Sequence, residues 1–182
     1  MIERLQRVCA KLYAAEPDGV GDEAFVPIFH EWIRKRALDA VLLDVADYTH
    51  APDSPGVVLV GHDATYALDR SDGRFGLLVQ RRRPVDGDST AAIVAALRGL
   101  VAVADRLESD RRLRGRLTFD RTSIRIEAND RLLSPNTDAG FEAFKPLVSD
   151  AVARVFPEAP GIATRVDNDP RNRLAVDVRL AV

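Results

Sequence analysis

Apolar positions along the chain change period several times, and each change predicts a different element. Over residues 2–15, Ile2, Leu5, Val8 and Leu12 recur at spacings of three and four, with Arg4, Arg7 and Lys11 between them. That spacing predicts an amphipathic helix. Pro17, Asp18 and Gly19 would end it. A second helix is expected after Pro27, with Phe29, Trp32 and Ile33 as its apolar stripe and Glu31, Arg34 and Lys35 outward. From Ala40 the run Ala-Val-Leu-Leu-Asp-Val-Ala-Asp is short, β-branched and nearly continuous, which predicts a central strand buried on both faces. Ser54-Pro55-Gly56 has the chemistry of a type II turn. Strand character resumes at Val57–Val60 and continues through Gly61-His62-Asp63 toward Ala64–Leu68. A further strand over Phe75–Val79 would close a hairpin.

The clearest helix follows Asp88 or Ser89 as cap. Ile93, Val94, Leu97, Leu100, Val101, Ala104 and Leu107 keep a 3.6 period. Burying such a stripe is worth on the order of 10 kcal/mol before entropy is charged, so this helix must lie on a sheet or another helix. Two half-exposed strands are expected around Leu117–Phe119 and Ile124–Ala128, joined at Asp120-Arg121. A helix from about Asp138 to Phe156 contains Pro146, which predicts a kink or a restart. Ile162–Asp167 and Leu174–Leu180 are the last strands. In the second of these, Leu174, Val176, Val178 and Leu180 alternate with polar positions. The order α-α-β-β-β-α-β-β-α-β-β, with hairpin-type links dominating, predicts an α+β fold: a mainly antiparallel sheet with helices packed on one face. Residues 1–182 read as one domain, or as two subdomains, 1–110 and 111–182, that share a core.

Composition narrows the class more than the function. The chain has 182 residues, 46% hydrophobic and 30% charged, which is ordinary globular composition. One cysteine, Cys9, excludes an intramolecular disulfide and a multi-cysteine zinc site. In its apolar setting it reads as a buried thiol rather than a nucleophile. The early Glu3 and Arg4 argue against a signal peptide. Apolar runs fall far short of the roughly 20 residues that span a bilayer. These features predict a cytoplasmic protein with no membrane contact. A net charge of −2 and 6% aromatics disfavour a nucleic-acid partner. The Arg81-Arg82-Arg83 run and Arg111, Arg112, Arg114 and Arg116 could dock phosphates. Nearby acids and strand alternation favour a salt-bridged surface instead.

Candidate chemistry is confined to one stretch. All three histidines lie between residues 30 and 62, beside Asp44, Asp47 and Asp63. A carboxylate within a continuous apolar strand is costly unless paired, so Asp44 stands out. As catalytic residues the pattern offers Asp44, Asp47, His50 and His62; as ligands of a divalent metal it offers His50, His62 and Asp63. The plainer reading makes Asp44 a hydrogen-bonded or arginine-paired group and the histidines solvated loop and strand-end residues. No HExxH, HxH, phosphate-loop or GxSxG spacing is present. The absence of such motifs leans away from an enzyme and from any cofactor. It favours a non-catalytic interaction or assembly protein, a homodimer or a partner-binding module. Leu174–Leu180 would be its candidate edge strand.

Three segments carry a resemblance. They are Val26-Pro27-Ile28-Phe29-His30-Glu31-Trp32-Ile33, Asp44-Val45-Ala46-Asp47-Tyr48-Thr49-His50 and Pro55-Gly56-Val57-Val58-Leu59-Val60-Gly61-His62. Together they resemble a family of uncharacterised bacterial proteins, mainly over residues 26–80 with an echo at Asn129–Asn136. The resemblance implies a prokaryotic origin and no catalytic residues.

Overall fold

In the computed structural model, which describes Leu5, residues 7–51 and residues 54–181, the backbone of eight strands forms a single antiparallel sheet. The strands are β1 (Val8–Ala14), β2 (Leu42–Asp47), β3 (Val57–Gly61), β4 (Ala64–Asp69), β5 (Gly76–Arg81), β6 (Phe119–Ala128), β7 (Gly161–Arg165) and β8 (Ala175–Leu180). Their spatial order is β2-β3-β4-β5-β1-β6-β8-β7. The helices are α1 (Phe25–Lys35), α2 (Ser89–Glu108) and α3 (Asp138–Val155), with a short 3-10 turn at Asp22–Ala24. The α+β class with helices on one face of a mainly antiparallel sheet therefore holds. Strands from both halves of the chain share that sheet, because β1 pairs with both β5 and β6, and one hydrophobic core runs beneath them.

The N-terminal segment departs from expectation. Val8–Ala14 is the strand β1 at the middle of the sheet, not part of a helix; Met1–Arg4 and Gln6 lie outside the described residues. Hydrogen bonding to β5 on one side and β6 on the other fixes the extended backbone. Val8, Ala10 and Leu12 enter the helix-side core. Cys9, Lys11 and Tyr13 alternate onto the opposite face, as the two-residue period of a strand requires.

Two helix caps and two turns set the frame around the candidate residues. α2 begins at Asp88, whose carboxylate accepts from Ala91 N at 2.8 Å, and it packs on β1, β4, β5 and α3. α3 begins at Thr137, whose hydroxyl accepts from Gly140 N at 3.1 Å. It runs unbroken through Pro146: that residue and Glu142, whose carbonyl it leaves unbonded, both lie on the exposed side where water can serve the carbonyl. Between β2 and β3 the expected turn is present, with Gly56 at φ 67°. A Cβ there would stand 2.4 Å from the Leu68 carbonyl oxygen, so only glycine fits. Residues 57–68 are two strands, β3 and β4, folded back at His62-Asp63. Residues 119–128 are one long strand, β6, rather than two. Among the described residues no helix is long and apolar enough to cross a membrane.

Candidate functional site

The residues singled out between 30 and 63 do not come together. β2 is an edge strand, not a central one, and Asp44 is exposed on it. The apolar run around it is itself partly solvent-facing, with Val41 61% and Leu43 53% exposed. Asp44 accepts a hydrogen bond from the next amide, Val45 N, at 2.8 Å. Asp47 accepts from Thr49 Oγ1 at 2.6 Å and Thr49 N at 2.9 Å, and these bonds hold its carboxyl below the usual range. His50 is exposed in the turn after β2. His62 Nδ1 lies 3.0 Å from Asp63 Oδ1, both exposed at the β3–β4 turn. The ladder pairs Leu42 with Gly61 and Asp47 with Val57. His62 and His50 therefore lie beyond opposite ends of a ladder about 17 Å long. Among the described residues no group of three or more His, Cys, Asp or Glu side chains is arranged to hold a metal ion.

The basic runs are dispersed too. Arg112 is tied to Glu31 Oε2 at 2.7 Å and Asp110 Oδ2 at 2.6 Å. Arg116 donates to the Asp18 and Gly19 carbonyls. Arg81 turns toward α2, while Arg82 reaches the Gly61 carbonyl and Arg83 is exposed.

A charged network missed by sequence reading occupies the face of the sheet opposite the helices. Lys11 Nζ, in the middle of β1 and 3% exposed, donates to Asp69 Oδ2 and Asp72 Oδ1, each at 2.6 Å, and to the Arg74 carbonyl at 2.8 Å. All three of its hydrogens are thereby used. The β4–β5 turn brings Asp69, Asp72 and Arg74 over the strand. Tyr13 Oη donates to Asp72 Oδ2 at 2.8 Å, and the Arg74 guanidinium lies 3.6 Å from the Tyr13 ring centre. Arg125 on β6 grips Asp177 on β8 through two nitrogens, at 2.9 and 3.1 Å, and reaches Asp72 at 3.1 Å. Burial works to raise the Asp72 carboxyl, but the Lys11 and Tyr13 hydrogen bonds and the ammonium charge outweigh it and hold it low. No buried side-chain atom of the network lacks a partner, so it clamps the strands it touches.

Cys9 sits on the same face, and burial pushes its thiol from 9.0 up to about 12, with Glu127 adding to the rise. An unfolded thiol ionises at its ordinary value while the native one holds its proton. Between the two values the unfolded chain binds fewer protons, so stability must fall as pH rises, by about 1.4 kcal/mol per unit for one group. Tyr13, raised by burial and its Asp72 hydrogen bond, steepens the upper part of that limb. Urea unfolding of the wild type should show this alkaline slope, Cys9→Ala should reduce it, and a thiol reagent should modify Cys9 only on unfolding. A slope unaltered by the substitution would refute the assignment.

The two sheet edges are unlike. β2 carries Asp44 and Asp47, and its ladder with β3 has an irregularity between Leu42 and Asp44. Charges and a bulge are the devices that keep an edge from pairing. β7, at the other end, is Gly-Ile-Ala-Thr-Arg. Ile162 is 75% exposed, and Thr164 is exposed beside it. The one charge on β7, Arg165, is turned inward onto Asn136 Oδ1 at 2.9 Å and Asp138 Oδ1 at 2.6 Å. Pro160 O accepts from Ala181 N, and Val166 N donates to Ala175 O. By alternation, residues 160, 162, 164 and 166 bond inward to β8, and Gly161, Ala163 and Arg165 direct their N–H and C=O groups outward. The strand expected to be the edge, Leu174–Leu180, is instead largely β8 and interior, paired with β6 and β7. Its alternation reflects the polar face of the sheet rather than an edge.

Comparison with protein-family models, with curated proteins and with solved structures returned no match.

Proposed function

We propose that this chain is a non-catalytic assembly protein that pairs with a second copy of itself through β7. The contrast between the two edges carries the reading. β2 is guarded by carboxylates and an irregular register; β7 is short, regular, β-branched on its exposed positions and free of outward charge. Antiparallel self-pairing about a twofold at Ala163 sets Ile162 against Thr164 and Gly161 against Arg165. No like charges oppose each other, and the outward backbone groups of Gly161, Ala163 and Arg165 find partners. The same operation on β2 would crowd the Asp44 and Asp47 carboxylates of both copies onto one seam.

Ala163→Pro is the discriminating variant. It removes only an outward N–H, so the β7–β8 ladder survives while the new pairing cannot form. In sedimentation, the wild type should be a dimer, and Ala163→Pro and Ile162→Lys should be monomers with unaltered far-UV circular dichroism. A strictly monomeric wild type, or a dimer that persists in Ala163→Pro, overturns the proposal.

A further inference from the structure

At the opposite end of the sheet from β7, a cavity of about 290 Å³ lies between α2, the β3–β4 turn and the chain from Leu38 to Val41. It exists because α2 presents small residues there. A Cβ on Gly99 would stand 3.4 Å from Tyr66 Oη and 3.5 Å from the ring, so the missing side chain leaves the phenol uncovered. Tyr66 is only 6% exposed, yet its hydroxyl hydrogen-bonds to no described residue. Beside it, Arg81 Nε is sealed from solvent and also has no partner. A buried guanidinium N–H ordinarily finds an acceptor, and the Tyr66 phenol, with no protein partner among the described residues, borders the same cavity.

The charges around the opening are graded by depth. Arg81 and Tyr66 lie inside, while Arg98, Asp39 and Asp63 line the exposed mouth. Arg81 Nη2 donates to the Arg83 carbonyl at 3.3 Å, which steadies the guanidinium without neutralising it. Neither Arg81, Arg98 nor Asp39 forms an ion pair with a described residue.

From this arrangement we infer that the cavity is a binding site for a small zwitterion, which enters with its anionic group first. The carboxylate or phosphate of the ligand accepts from the Arg81 guanidinium and Tyr66 Oη, with Arg98 closing over it. Its ammonium remains at the mouth, facing Asp39 and Asp63. The acidic rim disfavours a ligand that is anionic throughout. The volume admits a molecule of amino-acid size and little more. Asp63, expected from the sequence as a metal ligand, serves here as part of the rim. The site does not depend on pairing through β7.

Isothermal titration with glycine, L-serine, L-glutamate, O-phospho-L-serine, phosphoethanolamine, acetate and inorganic phosphate tests it. At least one zwitterion should bind in the millimolar range or tighter and more strongly than acetate or phosphate. The carboxylate and phosphate members of the panel tell which anionic head the site takes. Arg81→Gln should weaken that binding by roughly tenfold or more, and Tyr66→Phe by a smaller factor. Gly99→Ala supplies a control against misfolding: alanine favours the helix, so the melting temperature should rise while binding weakens. Failure of every zwitterion to bind, binding of plain anions as tight as the best zwitterion, or undiminished binding in Arg81→Gln would each overturn the inference.

Discussion

Lys11→Met is expected to destabilise the protein by about 3–5 kcal/mol, among the largest effects of any single substitution in the chain. The methionine fills most of the space, so packing accounts for little of the loss. The cost arises because Asp69, itself buried, and Asp72 lose their common ammonium and remain as carboxylates at the centre of the sheet. Tyr13, Arg125 and the Arg74 amide are left to hold Asp72. A pH series separates charge from packing. In the wild type the depressed Asp72 carboxyl contributes stability that is present above the ordinary carboxylate value and is lost as pH falls through its lowered one. In Lys11→Met the Asp72 carboxyl loses the ammonium that holds it low, and acid relieves it. The difference between the two proteins in urea unfolding should therefore shrink toward low pH. Adding Asp69→Asn and Asp72→Asn to Lys11→Met should recover much of the loss at neutral pH. A deficit that is small, or constant across the carboxylate range, would show that the network is not held by charge.

The same segment explains what the sequence discloses and what it hides. Helices α1, α2 and α3 are legible because each buries one stripe and wets the other side, which writes the 3.6 period directly. Strands β2, β3 and β5 are legible as short apolar runs between turn residues, while β4 reads as a continuation of β3 because the fold-back at His62-Asp63 carries no strong turn signal. β1 is not legible, because it is covered on both faces: Val8, Ala10 and Leu12 lie in the helix-side core, Lys11 and Tyr13 lie under the β4–β5 turn, and Cys9 is buried on the same face as these two. With no wet side there is no alternation, and Leu5, Val8 and Leu12 satisfy a helical spacing by coincidence. Lys11 reads as solvated for the same reason, since its partners are 58 and 61 residues away.

Asp44 shows the converse error. An apolar run suggests burial, but Val41 and Leu43 face solvent at an edge, and the carboxylate beside them is exposed there. The cavity leaves no trace in the sequence. Its floor is made by what α2 lacks at Ala95, Gly99 and Ala102, and its polar groups come from separated stretches of chain. Only Asp63 among the residues that the sequence singles out for metal or acid–base chemistry lines it. Small residues inside a helical stripe are silent until the opposing surface is known.

Leu100→Ala should cost about 2–5 kcal/mol and lie toward the upper end of that range. Leu100 is fully buried on α2, the helix that touches β1, β4, β5 and α3 at once. Truncation removes the transfer energy of the lost carbons and leaves a void, which costs about 24 cal/mol for each Å³ that the surroundings fail to fill. Those surroundings are poorly able to move. On one side is a sheet hydrogen-bonded through its central strands, and on the other is a helix anchored by its own Thr137 cap. For a chain of this size each kcal/mol corresponds to about 2–4 °C in melting temperature, so the shift should be easily measured. Leu100→Met, which keeps volume, should cost less than about 1.5 kcal/mol. The urea midpoint should fall with an unaltered slope, which marks a loss of native stability rather than a change in the unfolded chain. A loss under about 1 kcal/mol in Leu100→Ala would mean that α2 can settle onto the sheet to close the void. In that case the narrow clearance between Gly99 and Tyr66, one residue away, could not be rigid either.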